Sequence, residues 1–202
     1  MRWVHSGADG ELFTISSPSS TTLGAAPVVF IFLQDAFGPI NASFIYNATE
    51  IGTPTVGAPA FDQGGLAGSF SFTSTQAFTY NGTPFAAGTN LLSATFFNHT
   101  DITGKTNGTS GSVFASTGSG STIDYSSAVL PLGLSRDFAL ALTQVTKAFG
   151  YVKTKALNDF TAASTGSFSA SAVPEPATWG LMITGFGMMG LMARRRRADA
   201  AA

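Results

Sequence analysis

The chain has 202 residues and a formal net charge of −1, which leaves room for one domain of ordinary size and a short appendage. Charged residues make up only 10 % while phenylalanine numbers 18, and aromatics in that number argue against disorder because they supply what burial needs. Six Lys and Arg stand against nine Asp and Glu ahead of Pro174, a balance that speaks against a nucleic-acid partner; with no cysteine there are no disulfides, thiolate metal sites or cysteine nucleophiles.

Residues 1–27 show no sustained period and are expected to form an irregular N-terminal segment. The opening MRWVHSGADGELF holds an early Arg2 but no apolar run and no small-residue cleavage site, so a secretion signal is expected upstream of Met1. Residues 28–37 are a continuous apolar run suited to a buried strand. In 41–46, Phe44 and Tyr46 share a face. In 68–73, Phe70 and Phe72 oppose Ser69 and Ser71, the period of a half-buried strand. Asn81-Gly82 reads as a turn after Phe78-Thr79-Tyr80. Further strands are expected at 91–97, 112–116, 122–125 and 137–145, the last with Phe138, Leu140 and Leu142 on one face. Residues 146–159 fit a short helix or a long loop. Residues 160–162 and 167–169 flank Thr165-Gly166 and predict a closing hairpin. Strand signals about every ten residues, punctuated by Gly, Asn and Ser, predict an all-β antiparallel sandwich or jelly-roll-like domain over 28–169.

Residues with catalytic chemistry are few. His5 and His99 are the only histidines. A hydrolytic triad needs one of them beside a serine and an acid, and no Gly-x-Ser-x-Gly elbow marks such a serine. Asp35, Asp62, Asp101, Asp124, Asp137 and Asp159, with Glu50, are scattered singly, whereas glycoside hydrolysis needs two carboxylates ~5–10 Å apart. They read as turn caps and solvated charges, without the spacing of a calcium loop. Asn41, Asn47, Asn81, Asn98 and Asn107 each begin an N-glycosylation pattern, but those before Gly82 and Gly108 are explained as turns. Trp3, Tyr46, Tyr80 and Tyr125 are candidates for stacking on sugar rings if exposed. No cofactor or metal is expected.

The last thirty residues differ in kind. Residues 170–176 form a spacer ending in Pro174-Glu175-Pro176, whose prolines keep the backbone extended. Residues 177–193 carry no charge. As a helix they span ~25 Å, close to the ~30 Å hydrocarbon layer, and predict one transmembrane helix. Trp179 falls at the outer interface, and Gly185, Gly187 and Gly190 form a small-residue stripe for helix packing. Residues 194–202 begin with Arg194, Arg195, Arg196 and Arg197, which hold that end on the cytoplasmic side.

Pro174-Glu175-Pro176, Trp179, the run holding Met182, Ile183, Gly185, Phe186 and Gly187, and the four arginines together resemble the PEP-CTERM sorting signal of Gram-negative bacteria. The variant is the one with Trp three residues after the second Pro; Gly180 departs from it, standing where Ala is usual. The resemblance implies an exosortase-like membrane enzyme as partner, processing near Pro174, and delivery from an inner-membrane-anchored form to the cell surface or matrix. A non-catalytic structural or adhesive role in exopolysaccharide or biofilm is therefore expected. The alternatives are a carbohydrate-binding module for exopolysaccharide and a matrix polysaccharide-processing enzyme.

Overall fold

Large apolar residues alternate with Ser and Thr along much of the chain, and that alternation is realised as antiparallel strands with one apolar face. The computed structural model describes residues 1–6, 9–32, 38–52, 55–57, 60–133, 135–150 and 157–171, all within one compact unit, Met1–Ser171. The strands are β1 (Arg2–Ser6), β2 (Asp9–Phe13), β3 (Ala26–Phe30), β4 (Ile40–Glu50), β5 (Thr55–Gly57), β6 (Ala60–Gln63), β7 (Leu66–Ser74), β8 (Phe78–Tyr80), β9 (Thr83–Phe85), β10 (Asn90–Phe97), β11 (Asp101–Lys105), β12 (Gly111–Ser116), β13 (Thr122–Ser126), β14 (Ser135–Thr146) and β15 (Phe160–Ser171). One 3-10 turn, Thr117–Ser119, is the only helical element among the described residues.

β8 and β9 form a separate hairpin. Its turn, Asn81-Gly82, has φ of 49° and 78°, the left-handed pair that two-residue hairpins favour. The other thirteen strands make one sheet in the order β13-β10-β7-β4-β2-β1-β15-β14-β12-β11-β6-β5, with β3 also pairing β4. All these pairings are antiparallel. The expected all-β antiparallel class stands. Its two facing layers, however, are halves of one curled sheet and not two separate sheets. Phe70 of β7 meets Phe138 of β14 at 5.3 Å and Phe168 of β15 at 4.9 Å between ring centroids, although these strands lie far apart in the sheet order. A twisted open sheet of more than ~10 strands curls in this way so that one face buries itself.

The curl is clasped at its rim. Arg136 on β14 reaches β13, bonding Asp124 Oδ1 at 2.5 Å and the Ile123 carbonyl at 3.0 Å. The Tyr125 hydroxyl on β13 donates in return to the Asp137 carbonyl at 2.6 Å. Inside, Phe44, Tyr46, Phe70, Phe72, Phe96, Phe138, Leu140 and Leu142 are buried, with Phe44 stacked on Phe72 at 4.4 Å. A second cluster gathers Trp3, Phe61, Phe149 and Phe160; the Trp3 indole N–H donates to the Leu157 carbonyl at 3.3 Å.

Three further expectations are corrected. Residues 1–27 are not irregular: they hold β1, β2 and the start of β3. β2 and β3 are one interrupted strand alongside β4. Thr14 donates its N–H to the Tyr46 carbonyl and accepts the Tyr46 N–H on Oγ1; Gly24 returns to the Thr14 carbonyl at 3.0 Å, so the residues between loop out. The run from residue 28 is not buried throughout, because β3 alternates and leaves Val29 60 % exposed; residues 33–37 lie outside the described set. The closing hairpin is absent, since β15 passes straight through Thr165-Gly166, which pair with Ala141 and Leu140. The expected helix over 177–193 lies outside the described residues, and among those described no helix is long and apolar enough to cross a membrane.

Candidate functional site

β15 has neighbours on both sides only at its beginning. There β1 pairs with it through Arg2↔Thr161 and Trp3↔Phe160. Met1 completes this run, its nitrogen donating to the Ala162 carbonyl at 2.6 Å and its carbonyl accepting the Ala162 N–H at 2.9 Å. From Ala163 onward, β14 alone pairs with β15 among the described residues. Across from it β3 pairs with β4 alone among the described residues. A cleft of about 810 Å³ opens between these two edges. Its floor is apolar, with Val28, Phe30, Phe44, Phe72 and Phe168, while Ser164, Thr165, Ser167 and Ser169 supply hydroxyls along one side. Period-two patterning along the chain does not foretell this cleft, because it arises from where separate strands stop pairing.

The aromatics proposed for sugar stacking are elsewhere engaged. Trp3 and Tyr46 are 0 % exposed, and Tyr80 and Tyr125 are buried as well. Tyr46 stacks on Phe96 at 5.5 Å and on Phe70 at 6.5 Å. Burial pushes the phenol pKa of Tyr46 upward; for Tyr125 burial does so first and the Asp137 charge second. These rings are core. The outer face of the sheet instead presents hydroxyls, with Ser69, Ser71, Ser93, Thr95 and Ser126 bordering a shallow depression with Asp124.

The carboxylates are scattered as expected, with one exception. Asp124 pairs with Arg136, Asp137 accepts the Ser169 hydroxyl at 3.3 Å, and Asp159 accepts the His5 backbone N–H at 2.9 Å. Asp35 lies outside the described residues. Asp62 on β6 and Asp101 on β11, however, converge on Gly64: a Cβ there would stand 3.8 Å and 3.1 Å from their respective Oδ1 atoms. Partial burial first, then the Asp101 charge, hold the Asp62 carboxyl above its usual range. Neither residue lines the apolar cleft. His5 lies in β1 opposite Gly10. His99 occupies a left-handed turn at φ 44°, where its carbonyl accepts the Ser121 hydroxyl at 2.6 Å. No hydrogen bond joins either imidazole to a serine or carboxylate among the described residues. Asn81, Asn98 and Asn107 all have positive φ, which accounts for asparagine at those turns.

Pro174, Glu175, Pro176, Trp179, Gly185, Gly187, Gly190 and Arg194, Arg195, Arg196 and Arg197 lie outside the described residues, in the second unit, Ala172–Ala202. An all-β domain followed by a proline-punctuated apolar segment with a basic end is the layout of an exported protein bearing a C-terminal sorting signal. Residues 172–197 match the family model of the PEP-CTERM protein-sorting motif, so the chain carries that motif. The match implies export, association with a membrane before processing, and exosortase-type machinery as the processing partner. The β domain lies outside the matched residues. No curated protein and no solved structure matches the chain.

Proposed function

We propose that this chain is a non-catalytic structural or adhesive protein of the cell surface or extracellular matrix, released there by cleavage near Pro174-Glu175-Pro176. The single observation carrying the proposal is the sorting-motif match over residues 172–197. The uncharged run over 177–193 halts export, Arg194 to Arg197 fix its orientation, and an exosortase-like enzyme acts at Pro174-Glu175-Pro176 outside. The β domain is the delivered cargo. Its contribution to matrix contact is the outer sheet face, where Ser69, Ser71, Ser93 and Thr95 alternate with the buried aromatics and offer neutral donors and acceptors to polymer hydroxyls.

The test is intact-mass analysis of protein recovered from the matrix, beside cohesion measurements on matrix from cells lacking the gene. The proposal expects the recovered chain to end near Pro174 and the deletion matrix to weaken. Matrix protein that retains Arg194 to Arg197 refutes the sorting step, and a deletion matrix of unchanged cohesion refutes the structural role.

A further inference from the structure

The cleft between β3 and β15 has the register of a strand seat. Carried past Met1, the pairing of β1 with β15 and β2, together with that of β2 and β3 with β4, sets each further position of the β1 line between one residue of β3 and one of β15. Ala26 faces Ser164 across one strand position, Val28 faces Gly166, and Phe30 faces Phe168. The cleft lining agrees, since it includes Val28 and Phe30 on one side and Ser164, Gly166 and Phe168 on the other. The antiparallel order makes β3 and β15 run in the same direction, so a strand between them that continues β1 is antiparallel to both.

Edge chemistry identifies the occupant as polypeptide. Unpaired among the described residues, each edge presents backbone C=O groups and, except at Pro27 of β3, N–H groups at the strand repeat of ~3.4 Å per residue, and another extended backbone is the ligand that repeats with them. Facing inward, Val28, Phe30, Phe168 and Ala170 pack against the core. Phe72 lies beneath, its ring 5.0 Å from Phe30 and 5.0 Å from Phe168. Side chains paired with these residues share their face and point onto that apolar floor.

We propose that this cleft seats a further β-strand of the same polypeptide, joined to the Met1 nitrogen and antiparallel to both β3 and β15, with apolar side chains at the second, fourth and sixth residues ahead of Met1. The setting of that nitrogen accords with this. It already occupies a ladder position opposite Ala162, in line with the rest of β1.

Hydrogen exchange read by mass spectrometry on the full chain tests the seat. Three forms are compared: the chain as it stands, one extended by six residues alternating threonine with valine at the second, fourth and sixth places ahead of Met1, and one with the two residue types interchanged. A one-residue slip turns every side chain to the opposite face, so only the first extension fits. It is expected to slow exchange of 26–30 and 163–171 by about tenfold or more, the interchanged one to leave them unchanged. Equal protection by both extensions, or by neither, overturns the proposal. A fourth arm adds the first extension as a free peptide to the unextended chain. No protection supports a covalently joined strand; protection equal to that of the fused form assigns the seat to a separate polypeptide and overturns the claim.

Discussion

Replacing Tyr46 by Phe removes one oxygen from the middle of the aromatic core. The residue is 0 % exposed, and its hydroxyl has no hydrogen-bond partner among the described residues. Its ring is held by Phe44 at 6.4 Å, Phe70 at 6.5 Å and Phe96 at 5.5 Å, and Phe keeps those contacts. A buried polar group left unpaired costs about 1–3 kcal/mol, whereas the space lost with one oxygen is small. Tyr46→Phe is therefore expected to stabilise the domain by about 1–2 kcal/mol, a rise of about 2–8 °C in Tm for a domain of this size. Urea titration followed by the emission of buried Trp3, with calorimetry alongside, measures it. Tyr46→Ala, by contrast, empties a core site and costs about 3–5 kcal/mol, as large aromatic truncations do. A Tyr46→Phe variant destabilised by 1 kcal/mol or more refutes the reasoning, because the hydroxyl then makes a bond that stabilises the native state.

Two further outcomes follow from the same packing. At Gly68, where β7 lies against β4, a Cβ would stand 2.6 Å from the Ala48 Cα and nearer still to the Asn47 carbonyl oxygen. Gly68→Ala must push backbone apart and is expected to cost about 1–3 kcal/mol; unchanged urea stability would contradict that close approach. At the carboxylate pair, Asp62 has a folded pKa raised above its unfolded value, so the folded state holds the proton more tightly. The resulting stabilisation is present in full below the unfolded pKa and is lost as pH rises through the folded one. Asp62→Asn is accordingly expected to be more stable than the parent at pH 7, with the advantage gone by about pH 3. An advantage that stays constant across a series of thermal melts from acid to neutral pH excludes the electrostatic origin.

The sorting segment was legible because its information is collinear. Pro174-Glu175-Pro176, the uncharged run and the four arginines act in order along the chain, with no partner strand needed to define them. The inward faces of β4, β7 and β14 were equally legible, since Phe44 and Tyr46, Phe70 and Phe72, and Phe138 and Leu140 recur with the pleat. Glycine misled at Thr165-Gly166, where its neighbour came from another strand. Gly166 looks like a turn, yet Leu140 from β14 fills the place of its missing side chain and the ladder continues. Tyr46, Tyr80 and Tyr125 carry the amphipathic chemistry of a sugar platform, and only packing put them inside.

Amino-acid order alone determined the all-β class, the apolar faces of β4, β7 and β14, and the C-terminal address, because each depends on residues within one turn or one pleat of each other. The tertiary structure decided the curling of thirteen strands into one sheet, the meeting of Asp62 with Asp101, and the cleft between β3 and β15. Those depend on register between segments as distant as Met1 and Ala162, which is set by backbone hydrogen bonds common to every residue type and so leaves no mark in the alternation of side chains.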